Sequence, residues 1–324
     1  MKKLILKSML YMFLILILLE LLVRVFHLGK DTPSRFLDEY QVEKWVPNQQ
    51  GISVTGNRRQ NFSKYYINKS GYNSYREFTP TKDKIEIAIV GDSYIQGFHQ
   101  DYHNSIGKKI EKIIPEVEVY EYGYAGYDFA DQLHLIYSYK KQFELIDHVI
   151  LGIKFSNDLT RGEYKVIQER LQLESSMNRL LRKSKLLVYC KSIGILDPPK
   201  QLVRRVLSIL KPAKAPSAKN KKEDQKQKIE KDNKNLENFK SLINKYGYNK
   251  KRNVLLLDTR ITSPLFMDYL KKNGFKYIDF SQKFENSKKA TTLVYDRHWN
   301  NRGRDLIAKA ISEYLTPYIS EKSH

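Results

Sequence analysis

The pattern of apolar and polar positions changes character three times along the chain. Residues 4–26 are apolar almost without interruption, in the run LILKSMLYMFLILILLELLVRVF. About 20 such residues suffice to cross a bilayer. Lys7 and Arg24 lie near the ends of the run, where long cationic side chains reach the headgroups. Glu20 stands one helical turn before Arg24, and pairing across that turn lowers the cost of both charges. The pattern predicts an N-terminal membrane helix. Val25-Phe26-His27-Leu28 is a poor substitute for a small-x-small cleavage site, which favours an uncleaved anchor over residues 1–28 against a signal peptide. Lys2, Lys3 and Lys7 place the short N-terminus in the cytoplasm, a vote that Arg24, Lys30 and Arg35 weaken.

Residues 29–83 keep no period. Turn signals such as Pro47-Asn48 and Thr55-Gly56-Asn57 interrupt them, so they read as an irregular lead-in packed on the edge of a domain. Tyr65, Tyr66 and Tyr72 in this stretch either cover the core or line a sugar groove. From Lys84 onward strands and helices alternate. Residues 85–90, 117–122, 146–153, 254–257 and 276–280 read as strands. Residues 105–114, with Asn104 as N-cap, and 129–143, capped by Asp128, read as helices. Residues 301–315 close the pattern as an amphipathic helix, with Leu306, Ile307, Ala310, Ile311 and Leu315 on one face. Such alternation predicts an α/β fold: a mainly parallel five-stranded sheet covered on both faces, three layers in all, with right-handed crossovers. The domain runs over residues 84–318. The alternation lapses over about residues 160–250, a lysine-rich insertion. There 161–186 is helical and charged, Pro198, Pro199, Pro212 and Pro216 break the chain, and 219–235 is nearly all polar. Leu236, Phe239, Leu242 and Ile243 then restore a helix face.

The net charge of the 324 residues is +21, and its distribution matters more than its size. Residues 201–252 hold 16 Lys/Arg against 5 Asp/Glu, a net of +11 in one stretch. Such a run is most often a solvated segment; the alternative is a surface for an anionic polymer or lipid headgroups. The chain carries no zinc-finger spacing or aromatic RNA-binding motif, so nucleic acid is not an expected partner. A single cysteine, Cys190, rules out an intramolecular disulfide and a cysteine-based zinc site.

The chemistry-bearing residues fall in four blocks. Residues 85–90 are mostly β-branched and apolar, as in a buried central strand, and Gly91-Asp92-Ser93-Tyr94 ends them. A serine in that bend sits at the carboxyl edge of the sheet, where open α/β sheets bind ligands and where helix N–H groups favour negative charge. The second block is Tyr122-Gly123-Tyr124-Ala125-Gly126-Tyr127, the third Phe155-Ser156-Asn157-Asp158, and the fourth Tyr295-Asp296-Arg297-His298-Trp299-Asn300 before the last helix. In this order the blocks resemble those of the SGNH, or GDSL-type, hydrolase superfamily. The resemblance spans about residues 84–318. The third block departs from the superfamily's Gly-x-Asn-Asp in having Phe155 for the glycine. The fourth has Asp-x-His for Asp-x-x-His, a form similar to the membrane-linked branch that includes polysaccharide O-acetyltransferases.

The resemblance implies an SGNH-hydrolase, flavodoxin-like fold and a catalytic set. Ser93 is the expected nucleophile, His298 its base and Asp296 the residue that orients His298. The backbone N–H of Ser93, the N–H of Gly126 and the side-chain amide of Asn157 are the expected oxyanion donors. Gly123 is the alternative to Gly126. Trp299 positions His298, packs an acyl group or joins the core. His99 and His103, four apart but without an HExxH pattern, are expected as surface or pocket-rim residues; no metal and no cofactor is expected. His134 and His148 read as structural. The implied reaction is acyl-ester chemistry on a carbohydrate of the cell envelope or an exported polysaccharide, through an acyl-Ser93. Water as acceptor makes an esterase and a sugar hydroxyl makes an O-acyltransferase; both stay open. So do a lipid or small-ester substrate and a non-catalytic glycan-binding or scaffold module. The anchor and the resemblance together imply a catalytic domain outside the cytoplasm, with membrane and an acylated carbohydrate or acyl donor as partners.

Overall fold

The N-terminal apolar run forms one uninterrupted helix, α1 (Lys2–Val25). At 1.5 Å per residue its 24 residues are about 36 Å long, enough for a hydrocarbon core of ~30 Å. The computed structural model describes residues 1–56, 58–196 and 218–322. Asn57 of the expected turn, and the breaks expected at Pro198, Pro199, Pro212 and Pro216, lie outside these residues.

The lead-in is not irregular. It holds two antiparallel ribbons, β1 (Arg35–Leu37) with β2 (Glu43–Trp45), and β3 (Gln50–Thr55) with β4 (Asn61–Tyr66). Gly56, with φ +85°, begins the turn of the second ribbon, a conformation that costs glycine little. Nor is the lead-in confined to the domain's edge. Trp45, Tyr65, Ile67, Tyr72 and Phe78 are buried in the same cluster as Tyr120, Tyr122 and Tyr124 of the main domain. Tyr65 and Tyr72 therefore cover the core. Tyr66 is half-buried and stacks on Tyr75.

The main sheet has five parallel strands: β5 (Ile85–Gly91), β6 (Val117–Gly123), β7 (His148–Gly152), β8 (Asn253–Leu257) and β9 (Tyr277–Asp279). Their spatial order is β6-β5-β7-β8-β9. Within this sheet that is the order 2-1-3-4-5 of flavodoxin-like folds, with its switch point beside the first strand. Alternate residues of β5 serve the two faces. Ile87 and Ile89 meet Ile106 and Ile110 of a helix on one side and Ile307, Ile311 and Leu315 of the last helix. Ala88 and Val90 meet the opposite layer, with Leu133, Phe239, Leu242, Phe266 and Leu270. The fold is thus a three-layer α/β/α sandwich.

The helices after α1 are α2 (Ser93–Gln96), α3 (Ile106–Ile113), α4 (Phe129–Ser138), α5 (Lys140–Phe143) and α6 (Phe155–Asp158). Then come α7 (Gln168–Gln172), α8 (Ser176–Lys183), α9 (Lys185–Ser192) and α10 (Ala218–Tyr246). The chain closes with α11 (Pro264–Lys272), α12 (Ser281–Glu285) and α13 (Asn301–Lys322). Ser105, not Asn104, caps α3, its hydroxyl accepting from Lys108 N. The helix expected over 129–143 breaks at Tyr139 into α4 and α5. Asp128 and Asp131 close a reciprocal capping box at the start of α4. The second half of α10 belongs to the sandwich, since Leu236, Phe239 and Leu242 are buried in its core.

Candidate functional site

The carboxyl ends of β6, β5 and β7 lie level, with Gly91 opposite Gly123 and Val90 opposite Leu151. The loops that leave them carry Gly126, the GDS turn and Asn157 respectively. After Gly91 the chain turns at Asp92, whose carboxylate accepts from Tyr94 N at 2.9 Å and caps α2. Its other oxygen pairs with Lys154 Nζ at 2.7 Å. Asp92 is thereby spent on holding the turn, and Ser93 takes the first position of α2. Gly97, with φ +69°, ends this single turn of helix.

The fourth block forms a tight loop in which Thr292 bridges to Trp299 and Leu293 N donates to His298 O at 2.8 Å. Arg297 stands between Asp296 and His298 with φ +62°, a left-handed conformation that costs a non-glycine residue about 1–3 kcal/mol. The strained residue marks the bend across which the Asp296 carboxylate meets Nδ1 of His298. Nε2 of the same ring lies 2.8 Å from Ser93 Oγ. The three residues therefore form one hydrogen-bonded chain, with side chains about a fifth exposed at His298 and Asp296 (18% and 23%). Asn300 fixes the loop to α13: its amide donates to Ala290 O and Thr292 O, and its oxygen accepts from Gly303 N. The Tyr94 ring packs against His298 at 4.5 Å and against Trp299 at 4.8 Å, while its hydroxyl donates to Arg297 O. Trp299 is 9% exposed and also meets Phe280 and Phe284, so it joins the core directly behind the site.

His99, expected at the surface or the pocket rim, belongs to the site itself. Its Nε2 lies 2.8 Å from the second carboxylate oxygen of Asp296, and its ring stacks on His298 at 4.1 Å and 18°. Asp296 thus serves two imidazoles. Burial alone would raise its carboxyl; the hydrogen bonds from His298 and His99 outweigh burial and hold it well below the usual carboxylate range. Burial pushes the His99 imidazole below its ordinary value, against the pull of Asp296. Donor atoms of His99, Asp296 and His298 lie within 4.8 Å of one another, three of the four that a tetrahedral metal needs. In the arrangement seen, the contacts just described already use one nitrogen of His99, both of His298 and both oxygens of Asp296.

The proposed oxyanion donors are placed unequally. Gly126 is exposed, with φ +94°, and its carbonyl is taken by the Arg170 guanidinium. Gly123 is buried in the sheet, and a Cβ there would lie 2.1 Å from Gln96 N and 2.4 Å from Ile95 C. Its lack of a side chain is what lets α2 pack on β6. In the third block Phe155 is buried against Phe266 at 4.8 Å, which anchors the turn α6 in the core. Asn157 Nδ2 donates to Asp158 Oδ1 at 3.0 Å, and Asp158 Oδ2 accepts from Lys154 N at 2.7 Å. Asp158 is therefore the group that orients Asn157. Burial, with the nearby Asp92 charge, pushes its carboxyl up to about 7.

Beside the triad, on the β7–β8 side, lies a cavity of about 280 Å³. Tyr94, Phe280 and Trp299 supply apolar wall, and Lys154, Asp258 and Arg260 supply charge.

No family model matches the chain, and no curated protein matches it. Solved structures to which it is similar include a member of the lipolytic protein G-D-S-L family from Veillonella parvula, 16% identical, TM-score 0.38, covering 72% of this chain and 98% of that one. A lipase/acylhydrolase from Enterococcus faecalis is 11% identical, TM-score 0.39, with 72% and 96% covered. The psychrotrophic esterase EstA from Pseudoalteromonas is 10% identical, TM-score 0.41, with 72% and 98% covered.

Proposed function

We propose that the chain is a serine-dependent acyl-ester hydrolase or O-acyltransferase of the SGNH type, held at a membrane by α1 and acting on a carbohydrate. The observation that carries this reading is the continuous hydrogen-bond chain Ser93–His298–Asp296 at the carboxyl edge of the sheet. In the resting tautomer His298 donates from Nδ1 to Asp296 and accepts the Ser93 hydroxyl at Nε2. As Ser93 Oγ attacks the acyl carbon, Nε2 takes the hydroxyl proton and the carbonyl electrons move to oxygen. Ser93 N–H, Gly126 N–H and the Asn157 amide are the donors we assign to the developing oxyanion, each such donor being worth about 100- to 1,000-fold in turnover. Collapse expels the alcohol, which leaves with the proton from Nε2, and acyl-Ser93 remains. Water or a sugar hydroxyl then attacks, His298 takes its proton, and the acid or new ester leaves as Ser93 regains its hydrogen. His99 holds the second oxygen of Asp296 throughout.

The adjoining cavity joins aromatic wall, on which a sugar ring can stack, to ionic groups that can hydrogen-bond its hydroxyls. Retention of α1 is supported by its contacts: Glu20 accepts from Ser184 Oγ, Lys185 N and Leu186 N, so the helix end is part of the folded domain. The domain lies on the outer side, opposite the lysines that precede the span. The test is to give the solubilised full chain an activated acetyl ester with and without candidate oligosaccharides. A transferase yields acetylated sugar, and an esterase releases acetate at a rate indifferent to sugar. Glycan binding without turnover, unaltered by His298→Ala, refutes both.

A further inference from the structure

The elbow between α8 and α9 is fastened to the C-terminal end of α1. The Glu20 carboxylate accepts from Ser184 Oγ at 2.9 Å, Lys185 N at 2.9 Å and Leu186 N at 2.8 Å, which caps α9 from outside. Arg24 donates to Lys183 O at 2.6 Å and pairs with Glu20 at 2.7 Å. Gly29, just past the helix, abuts the same elbow, because a Cβ there would lie 2.9 Å from Lys185 O. Residues 20–24 rise only about 6 Å along the helix axis. The elbow therefore lies at the level of the last turns of α1.

Helix α8 then presents an apolar stripe to solvent. Met177, Leu180 and Leu181 are 65%, 61% and 47% exposed, at the spacing i, i+3, i+4 of one helix face. Arg179 and Lys183 are exposed on the same short helix. Arg182 instead turns inward to Glu174. Large apolar side chains beside basic ones, on a helix tied to a membrane span, are the pattern of an interfacial helix.

We propose that α8 and its elbow are a second membrane contact, seated in the headgroup region of an anionic bilayer beside α1. The inference rests on the reading of α1 as an anchor. Continuity with α1 selects a bilayer as the occupant of the stripe, and the basic residues select anionic lipid. The contact also sets the height of the site above the membrane. From α7, in the segment leading into α8, Arg170 reaches Glu43 and the carbonyl of Gly126.

The test uses the full chain with Cys190→Ser, reconstituted in vesicles of phosphatidylcholine and phosphatidylglycerol. Single cysteines replace Leu14, Leu180 or Lys271 in turn and carry an environment-sensitive fluorophore. Spin-labelled lipids serve as quenchers. Expected is quenching at position 14 by a deep spin label, blue-shifted emission and quenching at position 180 by a shallow one, and neither at position 271. Quenching at 14 with water-like, unquenched emission at 180 overturns the inference and leaves the anchor standing. A blue shift at 180 that follows protein concentration and ignores spin-labelled lipid assigns the stripe to a second copy, and equally overturns it. No quenching at 14 removes the anchor reading, and the inference with it.

Discussion

Replacing Gly123 with alanine should move the serine without touching it. The new Cβ would lie 2.1 Å from Gln96 N and 2.4 Å from Ile95 C, and both are backbone atoms of α2 or its immediate support. Ordinary contact begins at 3.4 Å, so β6 and α2 must separate by about 1 Å. The helix is one turn long, from Ser93 to Gln96, so the displacement is passed to the serine. Its 2.8 Å contact with His298 has little room to stretch. Overpacking of this kind costs about 1–3 kcal/mol of stability. A misplacement of ~1 Å between reacting groups costs about 100-fold in rate. Hydrolysis of p-nitrophenyl acetate by the solubilised chain, read beside thermal unfolding, measures both. Gly126→Ala is the comparison. Its φ of +94° costs an alanine about 1–2 kcal/mol, but its nearest neighbour is the flexible end of Arg170, at 3.1 Å. That variant should lose turnover through its reoriented N–H and disturb packing less. Wild-type melting and wild-type turnover in Gly123→Ala would refute the reasoning.

His99→Phe keeps a ring against His298 and removes a hydrogen bond to a charged group; turnover should fall about tenfold with the fold intact, and unchanged turnover would remove His99 from the site. His99 is depressed from 6.5 and Asp296 from 3.8, so in both windows the unfolded chain binds more protons. Melting temperature should therefore drop on acidification, first below about pH 6.5 and again below about pH 3.8. Asp158 has the opposite sign: raised from 3.8 to about 7, it costs stability as pH rises through that window. Asp158→Asn should consequently gain on the wild type as pH increases toward 7, and parallel melting curves would contradict the burial argument. Glu20→Ala removes the outside cap of α9 and should open the α8–α9 elbow to limited proteolysis, with wild-type resistance telling against that contact.

The central sheet is legible in the sequence because β5 and β7 are short apolar runs set between helical periods, a signal that local composition carries. The GDS turn and the Asp-x-His loop are legible because each is compact: strand, turn and functional side chains are neighbours in the chain. The two ribbons of the lead-in are not. Gln50–Thr55 and Asn61–Tyr66 are largely polar, and what orders them is burial of Trp45, Tyr65 and Tyr72 against residues far along the sequence. His99 escaped for a similar reason: Asp296 is 197 residues away, and only its nearness to the GDS turn hinted at the site. Glu20 shows both cases in one residue. Its pairing with Arg24 follows from i, i+4 spacing, whereas its hold on residues 184–186 follows from nothing local. The small shift of a cap from Asn104 to Ser105 is decided by one side-chain hydrogen bond, and the break at Tyr139 by one residue's departure from helical backbone angles, neither of which propensity resolves.

Treatment of the solubilised full chain with a fluorophosphonate, followed by peptide mass spectrometry, tests the role of Ser93 most directly. The label should fall on the peptide containing Ser93, disappear in Ser93→Ala, and form far more slowly in His298→Ala, which lacks the base at Nε2. Labelling that persists in Ser93→Ala, or forms at the wild-type rate without His298, would contradict the account.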